Sequence, residues 1–401
     1  MTDNQTPLWA VDNRIDIVEK RDNLGELLLL SAFFLYSIKY IFDFSGIFIR
    51  TEMLNTVLVV LSYALVTAKI IFFQKYTLKR LIITAVVVLV LVISSQLGMN
   101  NHMQMGLFFI VAMQDVDLKK VVKLGFRFKV AVIAIHVVWY AFIYATDPSA
   151  ITFSFRAGGG APRHYFFMGH ANTFSAILLW ASFEYIFYKY DKLRFINLFA
   201  VCLIFLIFYT FTASHSALVV LLLSTVLIAF DKILKKPIDK QLTFFTRFMY
   251  PSLAAIFALL SVLYTRLHGT AKDLIDGFDN MLTGRLWPGA YAYDMYGFTL
   301  MGQRIRPMTS VYWHNSWRRL FVPFDNNYLA NLYHYGIIHL IVTSIALIAL
   351  AGKMENREKI IMIAFSSFAI MQSDVTNLVV CFALLIIGKY IYAENSRNNN
   401  R

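Results

Sequence analysis

Only two cysteines occur in 401 residues, which excludes a disulfide framework and a cysteine-built metal site. Cys202 and Cys381 both lie inside apolar runs, where thiols act as packing residues. Charge is also scarce: 15% of the residues are charged against 58% hydrophobic. That balance carries more apolar surface than one soluble core can hide, so the expected solvent is bilayer. The chain shows no internal repeat, no low-complexity linker and no nucleic-acid motif. Its first 22 residues include Asp3, Asp12, Asp16 and Glu19 without an apolar core, so they do not read as a cleaved signal peptide. The tail Asn395–Arg401 is polar and is expected to be disordered.

What is present is a succession of apolar runs at roughly 24–42, 53–73, 81–97, 104–117, 127–146, 167–188, 196–213, 217–230, 248–265, 329–351, 360–373 and 376–393. Judged against the ~20 residues a spanning helix needs, they predict an all-α, polytopic integral membrane protein of about twelve transmembrane helices, with the fourth, eighth and eleventh the shortest. With the N-terminus inside, the loops holding Lys75 and Arg80, Lys119 to Lys129, Lys189 to Arg194, Lys232 to Lys240 and Lys353 to Lys359 fall in the cytoplasm, as the positive-inside rule requires. The net charge of +13 is then a topology signal, and no nucleic-acid partner is implied. Residues 1–401 form one membrane domain, with 266–328 inserted as an extracytoplasmic cap. Lys39 and Glu184 lie nearest a span interior and read as charges that snorkel from helix ends. Asp115-Val116-Asp117 reads as interfacial charge in preference to a metal site.

Loops 147–167 and 266–328 hold Arg156, Arg163, Arg266, Lys272, Arg285, Arg304, Arg306, Arg318 and Arg319 against the topology trend. Cations placed there suit an anionic ligand, although five aspartates in the second loop also fit a solvated mixed-charge surface. Within the cap, Leu274, Ile275, Phe278, Met281 and Leu282, then Leu286, Trp287, Ala290 and Tyr293, fall at helical spacing and predict two short amphipathic helices. Arg156 to Arg163 brackets three glycines and leads to Gly169-His170-Ala171-Asn172. Glycines let a backbone approach a bulky anion, and guanidinium forks match phosphate oxygens. For His170 and Asn172, capping or packing stands beside the functional reading. Arg285 follows Gly284 at a predicted helix start, where backbone N–H groups also favour a diphosphate. Asp325, in Asp325-Asn326-Asn327-Tyr328, is either a base for a hydroxyl or a helix cap; His170 is the second candidate base. Trp287, Tyr291, Tyr293, Tyr296, Tyr312, Trp313, Trp317 and Tyr328 suit sugar stacking or an interfacial belt.

In these residues the chain resembles the O-antigen polymerase and ligase superfamily, and within it the Wzy-type polymerases of surface-glycan assembly. The resemblance rests on Arg163 with Gly169 to Phe174, on Thr283-Gly284-Arg285 with Trp287, on Gly302-Gln303, on Asp325 to Leu329 and on Gly336. It implies a GT-C-like fold in a bacterial inner (plasma) membrane with an extracytoplasmic active site. The activity implied is transfer of a glycan from its undecaprenyl diphosphate carrier to a lipid-linked acceptor, without cofactor or metal. A flippase and a chain-length regulator are the implied partners besides the lipid bilayer. Arg285 matches the diphosphate-binding cap arginine, and Arg163 with Asn172 matches the first-loop motif. The implied site is Asp325, His170 and Arg285 as catalytic residues, with Arg156, Arg163, Asn172, His215, Arg304, Asn326 and Tyr328 binding substrate. Two positions depart from the related ligases: His215 stands where they carry Arg after Thr-x-Ser, and Asp325-Asn326 stands where they carry His-Asn. The first means that a second phosphate-binding Arg must come from elsewhere or be replaced by His215; the second favours a polymerase over a ligase. A transporter is the alternative from another class, and the absence of a visible repeat argues against it.

Overall fold

The computed structural model describes residues 8–48, 51–99, 102–155, 162–234, 238–305, 308–313, 316–321 and 324–391. Arg156, Arg306, Lys235, Lys236 and the 395–401 tail lie outside the described residues. The elements are α1 (Leu8–Phe44), α2 (Glu52–Phe72), α3 (Leu78–Leu97), α4 (His102–Val111), α5 (Leu118–Thr146), a minimal hairpin of β1 (Phe153–Ser154) and β2 (Arg163–His164), α6 (Ala171–Lys189), α7 (Phe195–Thr212), α8 (His215–Leu234) and α9 (Ile238–Tyr264). The cap holds α10 (Thr270–Met281), α11 (Trp287–Tyr296) and an antiparallel hairpin of β3 (Met308–Trp313) and β4 (Ser316–Phe321); α12 (Asn327–Leu350), α13 (Asn356–Phe368) and α14 (Ala383–Ile391) complete the chain. The two cap helices fall where the apolar spacing places them; the β3–β4 hairpin is an addition.

Among the described residues, eight helices are long and apolar enough to cross a bilayer: α2, α3, α5, α7, α8, α9, the Arg21–Phe44 part of α1, and Asn327–Lys353. The chain is therefore an all-α multi-pass membrane protein. The run at 217–230 gains length from flanking His215 and Asp231 to Leu234, giving a helix of 20 residues. Runs 104–117, 360–373 and 376–393 instead yield helices of 10, 13 and 9 residues. At 1.5 Å per residue none of these spans a hydrocarbon core of about 30 Å. The α13–α14 pair is a half-length hairpin whose ends meet: Lys389 on α14 donates to Glu358 at 2.6 Å and Glu355 at 3.2 Å, beside the start of α13. α6 is buried along its length and carries Asn172 and Glu184, so it is a central helix that faces protein.

The basic loops collect at one end of the bundle. There Lys119 and Arg357 meet Asp191 at 3.2 and 3.4 Å, Lys232 donates to the Tyr190 carbonyl at 2.6 Å, and Asn356 donates to Asp231 at 2.6 Å. Asp117 caps α5 by accepting from the Lys119 N–H at 2.9 Å, which gives the Asp115-Val116-Asp117 stretch a structural role. The interior charges are a different matter. Glu184 is fully buried and paired with Lys129 of α5, also buried, so neither is a snorkelling or loop charge. Lys129 stands eleven residues into α5, roughly 16 Å along its axis. Gly125, one turn earlier, makes room: a Cβ there would stand 2.7 Å from Glu184 Oε1. Lys39 pairs with Asp43 one turn away on α1.

The α12 helix breaks at Gly336, where φ is 76° and ψ 177°, a conformation essentially reserved for glycine. The cap backbone fills the break: the Ile337 and Ile338 N–H groups donate to the Thr299 and Leu300 carbonyls at 3.0 Å each, and Gln303 N donates to Tyr333 O at 3.1 Å. From α3, Ser94 Oγ donates to Tyr335 O and accepts from Gly302 N at 2.9 Å. A Cβ on Gly98, Gly302 or Gly336 would collide with backbone of the neighbouring segment. Broken backbone at membrane depth is tolerated where protein satisfies it, and here three glycines allow the approach.

Candidate active site

Four segments converge at the end of the bundle opposite the basic loops. The first is the turn Tyr165–Gly169. Phe166 and Phe167 hold φ of 50° and 58°, and Gly169 has φ 71°, a strained run for aromatic residues. The end of α1 braces it, with Gly46 N donating to Phe167 O at 2.7 Å. The turn delivers His170 as the N-cap of α6, where its Nδ1 accepts from Asn172 N at 3.1 Å. A neutral imidazole that accepts at Nδ1 carries its proton on Nε2. Burial, then the charge of Arg163 and that of Arg285, hold His170 below its ordinary pKa against the opposing pull of Asp325. With Nδ1 engaged by the Asn172 N–H, the neutral form of the ring presents Nε2–H as a donor.

The second segment is the close of α7. Arg163, buried, donates from Nε to Thr212 O at 2.7 Å and from Nη2 to Asn172 Oδ1 at 2.6 Å. Ser214 Oγ reaches the same Oδ1 at 3.4 Å, and Ser175 Oγ donates to Thr212 Oγ1 at 3.0 Å. Ala213, with φ 47°, turns the chain into α8. Helix ends leave carbonyls unpaired, and here an arginine side chain takes one of them. His215 opens α8 but turns its exposed ring to Tyr209, whose hydroxyl lies 2.6 Å from Nδ1. The backbone of the Thr212–His215 motif thus reaches the site, while its imidazole faces another neighbour.

The third segment is the cap turn. Thr283 and Gly284 hold φ of 59° and 75°, closing α10 and aiming Arg285 back toward the bundle. Its Nη1 donates to Leu282 O at 2.8 Å and its Nε to Met371 O at 3.2 Å, with Thr283 Oγ1 also in contact. The helix-start N–H groups expected to serve an anion are occupied: buried Asp279 accepts from Leu286 N at 2.7 Å and Trp287 N at 3.3 Å. The carboxylate of Asp279 is thus the ligand of those amides, and Arg285 stands alone as the cationic group of the turn.

The fourth segment enters α12. Asn326 is the cap residue, accepting at Oδ1 from Tyr328 N at 2.9 Å and Leu329 N at 3.2 Å. Asp325 is exposed and makes no hydrogen bond or ion pair with the described residues, so the capping alternative for it falls away. Tyr328, placed among substrate contacts by its motif, is instead fully buried against Tyr250 and Phe257, with its hydroxyl on Ser366 O at 2.8 Å. Asn326 is equally buried. Arg304 is exposed on the segment that fills the α12 break, and its charge is not among those acting on His170.

The structure therefore brings together Arg163, His170, Asn172, Arg285 and Asp325. One residue escaped sequence reasoning. Asp374, on the short 3-10 helix Ser373–Thr376 at the tip of the α13–α14 hairpin, is exposed and within reach of Asp325's charge. The available signal is a carboxylate interrupting two adjoining apolar runs. Nearby, an apolar groove of about 450 Å³ lies between α5, α6 and α7, lined by Val137, Leu178, Ala181, Ile204 and Phe208 among others. Phe208 packs on Phe166 and Phe174 at 5.7 and 5.3 Å between ring centres, one helical turn below Thr212. No family model, curated protein or solved structure matches the chain.

Proposed function

We propose that this protein is a GT-C-like glycosyltransferase of a bacterial inner membrane that polymerises undecaprenyl-diphosphate-linked oligosaccharide repeat units on the extracytoplasmic side. The observation that carries the reading is the convergence of two arginines, a neutral histidine and an exposed aspartate at the end of the bundle away from the basic loops. Transfer from a lipid diphosphate needs positioning, cations for the departing charge and a base for the acceptor hydroxyl. In this reading Arg163 and Arg285 hold the diphosphate, His170 Nε2–H donates to its oxygens, and Asp325 takes the proton of the acceptor hydroxyl. The carrier's tail lies in the α5–α7 groove below Arg163. A flippase supplying repeat units and a chain-length regulator are the expected partners.

Arg285→Lys tests this directly, because it keeps the charge and loses the planar fork. Loss of polymer, with single lipid-linked repeat units accumulating and the protein still inserted, is the expected result. Normal polymer from a well-expressed Arg285→Ala strain sinks the assignment. A transporter is the second reading, favoured by the broken α12 and the half-length α13–α14 hairpin, which are features of transport sites. Purified protein in liposomes separates the two: a transporter moves lipid-linked glycan across the bilayer without lengthening it.

A further inference from the structure

The three walls of the apolar groove end against one ring. Val137 of α5, Leu178 of α6 and Phe208 of α7 line the groove, and one turn nearer the site the same helices carry Tyr140, Phe174 and Phe211. Phe166 packs on these three at 4.8, 4.4 and 6.0 Å between ring centres, and on Phe208 at 5.7 Å, contact distances for aromatic rings. It is buried and holds φ of 50°, a backbone region that costs free energy for a residue with a side chain and persists only where packing enforces it. Phe166 is thus a stopper, and a chain lying in the groove turns its head outward at the stopper's edge. His164 occupies that edge and bridges α5 to α7. Its Nδ1 shares a hydrogen bond with the Tyr140 hydroxyl, and its ring meets Tyr140 and Phe211 at 5.6 Å each and Phe153 at 4.9 Å. Tyr140 and His164 are both half-buried. Arg163, the preceding residue on β2, holds Thr212 O and Asn172 Oδ1 beyond them. A phenol and a neutral imidazole bring one proton each. Their mutual bond uses one, so the pair keeps a donor for another acceptor whichever way the bond runs, and has two once the bond opens.

We propose that Tyr140 and His164 form the subsite for the lipid-side phosphate of a polyprenyl diphosphate, opening their mutual hydrogen bond to take its oxygens. This rests on the reading above that the groove holds the carrier's tail. The order along the carrier is then tail in the groove, first phosphate at Tyr140 and His164, and second phosphate at Arg163 and Arg285. Hydrogen bonds from neutral donors to a phosphate are charge-assisted and stronger than the Tyr140–His164 bond they replace. Phe166 keeps the tail out of the polar site, so the lipid is held in one register.

Undecaprenyl phosphate is the probe, because its single phosphate fills the lipid-side position alone; undecaprenol, with the same tail and no phosphate, is the control. Binding of each to the full chain in detergent is titrated by native mass spectrometry. Tyr140→Phe, which keeps the ring that packs on Phe166, and His164→Ala should each weaken undecaprenyl phosphate about tenfold or more and leave undecaprenol unchanged. Equal weakening of both lipids means that the pair only shapes the groove, and overturns the subsite. A folded Tyr140→Phe protein that binds the phosphate lipid as the wild type does overturns it too. Ile204→Trp, which narrows the groove from an exposed lining position, should weaken both lipids; a wild-type chain that binds neither overturns the groove's occupant and the subsite together. Elongation of lipid-linked repeat units is read separately. A chain that shows the phosphate dependence yet lengthens no glycan overturns the polymerase reading and leaves the subsite standing, whereas a chain that lengthens glycan without that dependence overturns the subsite alone.

Discussion

Removing the Glu184 carboxylate is the sharpest test of the packing. Glu184→Leu leaves the Lys129 ammonium buried in the bundle without its counter-ion, and breaking one partner of a buried pair costs about 3–5 kcal/mol. Against a typical total of roughly 5–15 kcal/mol, that is a fifth or more of the folding free energy. The double variant Lys129→Met, Glu184→Leu removes both charges and should return to within about 1 kcal/mol of the wild type, because apolar replacements of a buried pair are commonly neutral. Gly125, shaped to admit the carboxylate, sets the residual packing cost. The molecule supplies its own probe. Cys381 is fully buried within reach of both charges, so in a Cys202→Ser background a thiol-reactive fluorophore reports opening of this region during thermal unfolding in detergent. Single variants as stable as the wild type, or a double variant no better than the worse single, would refute the account.

Three other outcomes are expected. Gly336→Ala should lower thermal stability by at least ~1–3 kcal/mol, the cost of a side chain in that backbone region, since its Cβ also meets Leu300 and Met301; unchanged melting would mean that α12 is not broken there. The His170 ring, followed by NMR, should titrate below its ordinary value of 6.5. The unfolded chain then binds more protons just below pH 6.5, so this contribution to stability is complete above 6.5 and is lost as pH falls toward the folded pKa; a midpoint above 6.5 contradicts the cationic surroundings. Finally, in a chain with its natural cysteines replaced, cysteines at Ser149 and Lys192, both exposed, should label from opposite sides of the membrane with an impermeant reagent, Ser149 from outside. Same-side labelling would break the topology, and labelling of Lys192 alone from outside would invert it and remove the extracytoplasmic site.

The sequence by itself determined the class of protein, the long spans and the two cap helices, because apolar length and helical spacing are local properties. It also singled out Arg163, Asn172, Arg285 and Asp325. Tertiary structure decided the rest. Whether Asp325 or Asn326 caps α12 turned on one residue of register that either side chain satisfies from sequence. Whether the amides after Arg285 were open to an anion turned on Asp279, seven residues earlier, folding back onto them. Glu184 reads as a helix-end charge until α5 places Lys129 against it, and Asp374 reads as a loop residue until the hairpin tip meets Asn327 and Arg285. The short runs failed as spans for the same reason: their helices end where side chains and backbone from distant segments, Gln74 reaching Val111 or Asn327 reaching Ala369, take up the hydrogen bonds. Such contacts join residues tens to hundreds of positions apart, and no spacing along the chain records them.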